Sequence, residues 1–308
     1  MATEMEGHFA FVGLGAMGFG MASNIRQKMA SSSVLFICDI HRPACDRFVS
    51  EFSQFGPIEI VPSAKEAAAN AKVFISSLPS TAVIRKVYLD DADGVIAAPA
   101  DPHRLILESS TTDVSSARGV AEQLAAAHAG CYVDTPVSGG AQASTAGKLS
   151  FMIGHLKPEE SDAMGRRLER ILTMMGEPRK LFWCGRLGAG LAAKISNNYI
   201  SCTVFLVVAE ALAIGVRSGI DPKLLQEVIH NSSGQTFMGD IVSNVPRTEL
   251  QGRNGFPIHL MIKDVGLGID VGNETGVTPR MALAALEIWK EAAEDPDFIN
   301  HDGFRNDK

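Results

Sequence analysis

A glycine-rich turn near the start of the sequence has the residues needed to hold a dinucleotide. Six consecutive residues show the spacing GxGxxG: Gly13, Leu14, Gly15, Ala16, Met17 and Gly18. The apolar run before it, His8–Val12, predicts a strand, and the residues after it, Phe19–Met29, predict a helix. In that setting the glycines let the backbone approach a pyrophosphate, and the helix N-terminus attracts its negative charge. The alternative is a glycine-rich turn that binds nothing.

An acidic residue follows this turn at the distance expected for ribose recognition. Asp39 ends the next apolar run, Val34–Cys38, roughly 20 residues after Gly18. A carboxylate there accepts hydrogen bonds from ribose hydroxyls and repels a 2′-phosphate, so the sequence predicts NAD. NADP stays open because Arg42 could pair with a 2′-phosphate. Two other interpretations also remain: Asp39 as a helix cap and Arg42 as a solvated surface residue.

Polar residues follow two further predicted strands, Arg104–Leu107 and Cys131–Asp134. Ligands of open α/β sheets bind at the edge formed by the carboxyl ends of the strands. The first polar segment, Glu108–Asp113, could contact a ligand, cap a helix, or do both. In the second, the backbone N–H groups of Ser138–Gly140 could converge on an anion such as a carboxylate. A plain loop is the alternative.

A lysine and an asparagine share one face of a long predicted helix. This helix runs from about Leu191 to Arg217, and Lys194 and Asn198 lie four residues apart on it. Residues at that spacing face the same way. Since the flanking residues are apolar, we expect a partly buried lysine facing a cleft between two domains. A solvated lysine is the alternative.

Length and composition predict a folded protein of the α/β class with two domains. The chain has 308 residues, of which 46% are hydrophobic and 20% charged, which argues against disorder, collagen and coiled coils. Apolar runs alternate with Ala-rich helical stretches through the first half, as in βαβ units with a parallel sheet. We place this domain at residues 8–185 and an all-helical domain at residues 186–308, with the turn Gly185–Gly190 at the boundary.

Charge, cysteine spacing and the apolar segments argue against a nucleic-acid-binding, metal-binding or membrane-spanning protein. A net charge of -7 argues against a broad nucleic-acid surface. The five cysteines show no metal-ligand spacing, so reduced thiols and no metal site are expected. The apolar stretch Ile195–Val216 contains Asn197, Asn198 and Glu210, which favours a buried core helix over a membrane span. The first residues lack a signal or transit pattern, so we expect a cytoplasmic protein, with a solvated tail over Asp295–Lys308.

Several ordered motifs resemble those of one known family. They are the glycine turn continuing into Met21-Ala22-Ser23-Asn24, Leu78-Pro79, Ser109-Ser110-Thr111, Pro136–Gly140, Gly188–Asn198 and Lys263-Asp264. Together they look like the β-hydroxyacid dehydrogenases, the family of 3-hydroxyisobutyrate dehydrogenase. The resemblance runs from about His8 to Trp289. It implies a Rossmann-type N-terminal domain with a parallel sheet and an all-α C-terminal domain.

The resemblance also implies a role for individual residues. Lys194 would be the general acid/base, with Asn198 beside it. Ser138 and Gly139 would hold the substrate carboxylate, and Asp264 would be a structural partner at the start of its helix. Four residues outside the glycine turn would contact the NAD cofactor: Leu78, Pro79, Thr111 and Lys263.

The activity implied by the resemblance is hydride transfer between a nicotinamide cofactor and a short hydroxy acid, 3-hydroxyisobutyrate- or threonate-like. The substrate stays open because Ala143-Ser144 stands where the family usually has a Gly-Ala pair. One alternative is an NADPH-dependent reductase of glyoxylate, succinic semialdehyde or imines, which Asp39 and Lys194 oppose. A non-enzymatic nucleotide-binding scaffold is another. The long apolar helix and the family together predict a homodimer or homotetramer.

Overall fold

The first part of the chain is built on a parallel β-sheet with helices between its strands. The computed structural model describes residues 7–244 and 257–294, and the predicted tail over Asp295–Lys308 lies outside them. The chain divides after Lys194 into two compact units. The elements of the first unit are, in chain order, β1 (Phe9–Val12), α1 (Gly18–Lys28), β2 (Leu35–Cys38), α2 (Arg42–Phe52), β3 (Ile58–Ile60), α3 (Ala64–Asn70), β4 (Val73–Ser76), α4 (Thr81–Leu89), β5 (Leu105–Glu108), α5 (Val114–Ala126), β6 (Cys131–Asp134), β7 (Val137–Ser138), α6 (Gly140–Thr145), β8 (Leu149–Ile153), α7 (Ala163–Met175), β9 (Gly176–Trp183) and the start of α8 (Ala189–Arg217).

The main sheet has the strand order β3-β2-β1-β4-β5-β6, and neighbouring strands are parallel. Phe9 of β1 pairs with Leu35 on one side and with Val73 on the other. All four residues of β1 are buried, as expected for a parallel strand with helices on both faces of the sheet. The strand order reverses at β1, and ligands bind beside such a reversal. The predicted α/β, Rossmann-type architecture is confirmed.

The chain also forms a second, smaller sheet, which was not predicted as a separate sheet. Its order is β7-β8-β9, with β7 antiparallel to β8 and β8 parallel to β9. Pro136, two residues after the end of β6, has no N–H group to extend the first ladder. Its carbonyl oxygen accepts a bond from the N–H of Met152 on β8 (3.0 Å). The chain therefore leaves one sheet and enters the other at Pro136.

The regular elements in the described residues of the second unit are all helices. It contains the rest of α8, then α9 (Pro222–His230), α10 (Phe237–Asn244), α11 (Ile258–Glu274) and α12 (Arg280–Glu294). The Asp221 carboxylate caps α9 by accepting bonds from the backbone N–H groups of Lys223 and Leu224. This cap was predicted from the sequence. Met261, Val265, Ala285 and Trp289 are buried together, so α11 and α12 share a small core.

The apolar helix α8 is more exposed than the sequence predicted. Only 17% of its most apolar window is buried, although we expected a buried core helix. Val207, Ile214 and Val216 are 51%, 68% and 41% exposed. By length and composition, this is the one helix of the described residues that could cross a membrane. The prediction was wrong because an apolar composition shows only that a helix needs apolar contacts on its surface. The described residues of one chain do not supply those contacts for α8.

Candidate active site

The glycine turn lies at the carboxyl end of β1, where the strand order of the sheet reverses. Gly13 has φ +93° and donates its N–H to the carbonyl of Cys38 (2.9 Å), which joins the turn to the end of β2. A Cβ at Gly13 would overlap the carbonyl oxygen of Ser77, and one at Gly18 would overlap that of Gly13. These two positions accept only glycine, because the backbone folds back on itself there.

The outer face of the turn is open, as a bound pyrophosphate requires. A Cβ built on Gly15 meets nothing within 4 Å, and Gly15 and Ala16 are exposed. Met17, the N-cap residue of α1, makes no side-chain capping bond in the described structure. The first turn of α1 therefore presents backbone N–H groups to this open side. The residues of the turn fit a dinucleotide.

Asp39 lies against the same turn. Its carboxylate accepts bonds from the backbone N–H groups of Leu14 (2.5 Å) and His41 (2.7 Å). These bonds place a negative charge beside the turn, which is the position expected for ribose recognition. Arg42 is turned to solvent and pairs with Asp46 on the same helix (2.9 Å), as expected for a surface residue.

The next two strands bring their polar ends to the same edge. The N–H of Leu78, after β4, donates to Ser110 Oγ after β5 (2.6 Å). Pro79 follows Leu78 and is exposed, and Thr111 is half-buried beside Ser110. The structure thus brings the predicted cofactor residues Leu78, Pro79 and Thr111 to the edge that carries the glycine turn. Asp113 caps α5 by accepting a bond from the N–H of Ser116 (2.7 Å), so the capping interpretation is correct for Asp113.

A buried carboxyl group, Glu108, supports this edge from inside. Its Oε2 accepts a bond from Ser76 Oγ (2.6 Å), and its Oε1 accepts one from the N–H of Ser110 (2.7 Å). Ser76 Oγ is also bonded to the hydroxyl of Tyr88 (2.6 Å). Burial raises the pKa of Glu108, although its hydrogen bonds oppose that shift. Glu108 fixes Ser110, which in turn fixes the loop at Leu78.

Replacing Glu108 with glutamine is expected to change how stability depends on pH. Because the folded-state pKa of Glu108 is raised, the folded protein keeps a proton that the unfolded chain releases above about pH 4.3. The stability of the wild-type protein therefore falls as pH rises from about 4.3 towards the raised pKa of the folded state. A glutamine does not titrate, so E108Q lacks this pH-dependent loss of stability. The melting temperature of E108Q minus that of wild type should rise between pH 4.5 and pH 7. A difference that does not vary with pH would contradict this.

The predicted carboxylate loop lies at the start of α6. Ser138 ends β7 and is half-buried, and Gly139 occupies the N-cap position of α6 with φ +134°. A Cβ at Gly139 would come within 2.7 Å of the Ala143 side chain. The loop therefore needs glycine both for its backbone conformation and for its fit against α6.

Lys194 is buried and lies just after the first turn of α8. Its side chain is 8% exposed. The carboxylate of Asp134, fully buried at the end of β6, accepts bonds from the N–H groups of Gly188 and Leu191 (both 2.8 Å). A side chain at Gly190 or Gly154 would meet this carboxylate. Asp134 thus locks the start of α8, and with it the segment that carries Lys194, to the main sheet.

The second unit joins three more of the predicted residues. Asn198, one helical turn beyond Lys194, donates its amide to Asp264 Oδ2 (2.6 Å), and Asp264 Oδ1 lies 3.3 Å from Lys263 Nζ. Asp264 is 2% exposed. It lies within α11 rather than at its start, so the predicted location was wrong. Its bond to Asn198 ties α11 to α8.

Two side chains, Asp134 and Glu108, support this edge from inside, a role that the sequence did not predict for either. Glu108 was predicted only as part of the segment Glu108–Asp113, which could contact a ligand or cap a helix. Each ends a buried strand. Asp134 bonds to residues more than 50 positions along the chain, and Glu108 bonds to Ser76 in the neighbouring strand as well as to the nearby Ser110. Spacing in the sequence cannot reveal such bonds, and the one available signal is an acidic residue at the end of an apolar run. Among the residues described, no group of three or more His, Cys, Asp or Glu side chains could hold a metal ion.

Known families match both parts of the chain. The model of the NAD-binding domain of 6-phosphogluconate dehydrogenase matches residues 8–185. That of the NAD-binding region of NADP-dependent 3-hydroxyisobutyrate dehydrogenase matches residues 188–298. Both descriptions name nicotinamide dinucleotides, so NAD(P) is confirmed as the cofactor. The domain ranges taken from the sequence stay predictions.

Individual relatives agree with these models. Mitochondrial 3-hydroxyisobutyrate dehydrogenase of Mus musculus is 33% identical over 288 residues, which cover 91% of this chain and 80% of the relative. An NAD-dependent L-serine dehydrogenase of Pseudomonas aeruginosa is 33% identical over 289 residues, with 91% and 90% covered.

Solved structures share the whole fold. Mycobacterium tuberculosis 3-hydroxyisobutyrate dehydrogenase, solved with L-serine, has a TM-score of 0.79 and 32% identity, with 97% of each chain covered. A reductive aminase from Aspergillus terreus has a TM-score of 0.59 at 16% identity, with 96% of each chain covered, and shares the fold alone. The family predicted from the motifs is confirmed. With its glycine turn, its fold and relatives at 33% identity over nine-tenths of its length, the chain belongs to the 3-hydroxyisobutyrate dehydrogenase family of NAD(P)-dependent hydroxyacid dehydrogenases.

Proposed function

We propose that this protein oxidises a small β-hydroxy acid with NAD and that Lys194 is the general base. The observation that carries the proposal is the buried lysine on a helix whose start is fixed to the sheet by Asp134. A buried amine held at a fixed place is suited to exchange a proton with a substrate hydroxyl. The glycine turn and the polar strand ends supply a dinucleotide site in the same unit.

In the proposed reaction the substrate is held by its carboxylate and loses hydrogen from its alcohol carbon. Backbone N–H groups of Ser138 and Gly139 bind the carboxylate, and Lys194 Nζ accepts the hydroxyl proton as the C–O bond becomes a carbonyl. The nicotinamide, when bound, supplies the acceptor for the hydride that leaves the same carbon. Asn198 is the proposed positioning residue for the Lys194 amine or the hydroxyl. In the reverse direction Lys194 returns the proton.

The substrate class follows from what the named relatives share. The names of two relatives specify 3-hydroxyisobutyrate and L-serine. Both compounds carry a carboxylate and, two carbons away, a primary alcohol, with a small group on the carbon between. In the proposed reaction the carboxylate loop binds the first of these groups, the carboxylate. Lys194 accepts the proton of the second, the alcohol. We therefore propose a β-hydroxy acid of this size, and a threonate-like sugar acid is the longer alternative.

A substrate panel tests the proposal. The purified protein is mixed with NAD and 3-hydroxyisobutyrate, L-serine, threonate or lactate, and NADH absorbance is followed. We expect turnover with at least one β-hydroxy acid and not with lactate, whose alcohol is on the carbon next to the carboxylate. NADH formation from lactate alone, or from none of the four acids, would contradict the proposal.

We propose NAD rather than NADP as the preferred cofactor, because the Asp39 carboxylate lies against the glycine turn. NADH should bind at least about tenfold more tightly than NADPH in fluorescence titrations, since a 2′-phosphate would meet this negative charge. Asp39→Asn keeps an acceptor for the Leu14 N–H and removes the charge, so the preference should shrink. NADPH binding tenfold more tightly than NADH would overturn the assignment of Asp39.

The exposed apolar side chains of α8 support a further part of the proposal, a homodimer or homotetramer. Ile200 and Ile214 are 64% and 68% exposed, and burial of such side chains against a second copy would remove apolar surface from water. A cytoplasmic location is also proposed.

A further inference from the structure

Two buried polar side chains fasten α6 to α1. Ser144 is fully buried, and its hydroxyl donates to the carbonyl oxygen of Met17 (2.6 Å). Asn24 is 6% exposed, and its amide donates to the carbonyl oxygens of Ser144 (2.9 Å) and Thr145 (3.1 Å). These hydrogen bonds join residues 120 or more positions apart in the chain, and they fix one helix against the other.

The two helices approach closely at this point. A Cβ at Gly20 would lie 2.6 Å from Ser144 Oγ and 2.7 Å from the Thr145 nitrogen, so only glycine allows this contact. Lys28 Nζ donates to Asn24 Oδ1 (2.9 Å), which sets the orientation of the amide and points its N–H groups towards α6. The spacing of α1 and α6 is therefore closely determined.

These bonds connect the two parts of the molecule that hold the reactants in the proposed function. Met17 belongs to the glycine turn that would bind the dinucleotide. Ser144 lies on the short helix that begins directly after Gly139, in the proposed carboxylate loop. A shift of α6 along α1 would change the distance between the bound carboxylate and the nicotinamide.

We propose that Ser144 and Asn24 are positioning residues for hydride transfer, because they hold the carboxylate loop at a fixed distance from the dinucleotide turn. The inference rests on the proposed function and goes beyond it, since both side chains are buried and donate to backbone carbonyl groups. Reaction rates depend steeply on such distances, and a misplacement of about 1 Å can cost about a hundredfold in rate.

Three single substitutions test this role. Ser144→Ala removes the bond to Met17. Asn24→Asp keeps the shape of the side chain and turns an oxygen towards the carbonyl groups that now accept from the amide. The matched control is Thr145→Ala, because the Thr145 hydroxyl is exposed and donates within α6, to the carbonyl of Ala141 (3.0 Å).

We expect S144A to lower kcat by about tenfold and N24D by about a hundredfold, while the Kd for NADH stays within about twofold of wild type. The isotope effect on kcat, measured with substrate deuterated at the alcohol carbon, should rise in S144A because hydride transfer becomes slower than product release. Thr145→Ala should match wild type in all three measurements. Assays are run well below the melting temperature of each variant, so that a loss of stability alone does not lower kcat.

Two results would overturn the inference. One is an S144A protein whose kcat and isotope effect equal those of T145A. The other is a loss of NADH affinity that accounts for the whole effect, which would make Ser144 only a support for the turn. Both are distinct from a failure of the proposed function, in which wild-type protein oxidises no hydroxy acid at all.

Discussion

Replacing Lys194 with alanine is expected to lower kcat for hydroxy acid oxidation by about a hundredfold or more, because the substrate hydroxyl then loses its proton acceptor. The Kd for NADH should stay close to the wild-type value, because the glycine turn and Asp39 are unchanged. Initial rates of NADH formation and a fluorescence titration with NADH measure the two quantities. Since Lys194 is only 8% exposed, water cannot freely replace its amine.

A second substitution separates proton transfer from charge. Lys194→Arg keeps a positive charge but carries a guanidinium that does not lose its proton in proteins. We therefore expect K194R to be about as inactive as K194A. The exposed Lys223 on α9 provides the control, and K223A should retain wild-type kcat. Near-normal turnover by K194A would remove Lys194 from the mechanism, and near-normal turnover by K194R would assign it a purely electrostatic role.

Replacing Asp134 with alanine is expected to give the largest loss of stability. The substitution leaves the buried N–H groups of Gly188 and Leu191 without their acceptor, at a cost of about 3 kcal/mol or more. For a chain of 308 residues, with an unfolding entropy of about 2.1 cal/mol/K per residue, that corresponds to a fall in melting temperature of roughly 5 °C. Circular dichroism during thermal unfolding measures it. Because the same turn of α8 leads to Lys194, kcat should also fall.

A half-buried cap provides the comparison for this result. Asp113 also caps a helix, α5, but it is more open to solvent, and its replacement by alanine should cost about 1 kcal/mol. The difference between D134A and D113A therefore measures the combined effect of burial and of the second backbone bond that Asp134 accepts. If the two variants lost the same stability, Asp134 would be an ordinary cap rather than the fixed point of α8.

Most of the main sheet could be predicted from the sequence because its signals are local. The strand His8–Val12, the turn Gly13–Gly18 and the helix Phe19–Met29 are recognisable from short patterns of apolar residues and glycine, and the structure shifts their bounds by only a residue or so. The order of the motifs along the chain then identified the family. In the second sheet, the apolar runs Leu149–Ile153 and Lys180–Cys184 predict strands that correspond to β8 and β9. Its first strand, β7, was missed because it has only two residues, Val137 and Ser138, too few to show any periodicity.

The sequence predicted the residues of the candidate site but not the buried side chains that hold them in place. Glycines, Asp39 and Lys194 stand out because their chemistry is unusual in their local setting. Asp134, Glu108 and Ser144 do not, because their function depends on partners that only folding brings near. The exposure of α8 was mispredicted for a related reason, since composition reports the need for an apolar contact and not which molecule supplies it.

The transfer of deuterium from substrate to cofactor tests the central claim most directly. The protein is incubated with NAD and with L-serine or 3-hydroxyisobutyrate that carries deuterium on the alcohol carbon, and the reduced cofactor is analysed by mass spectrometry. We predict reduced nicotinamide that carries one deuterium, formed by wild-type protein and K223A and strongly diminished in K194A. Reduced cofactor without deuterium, or equal transfer by K194A, would contradict it.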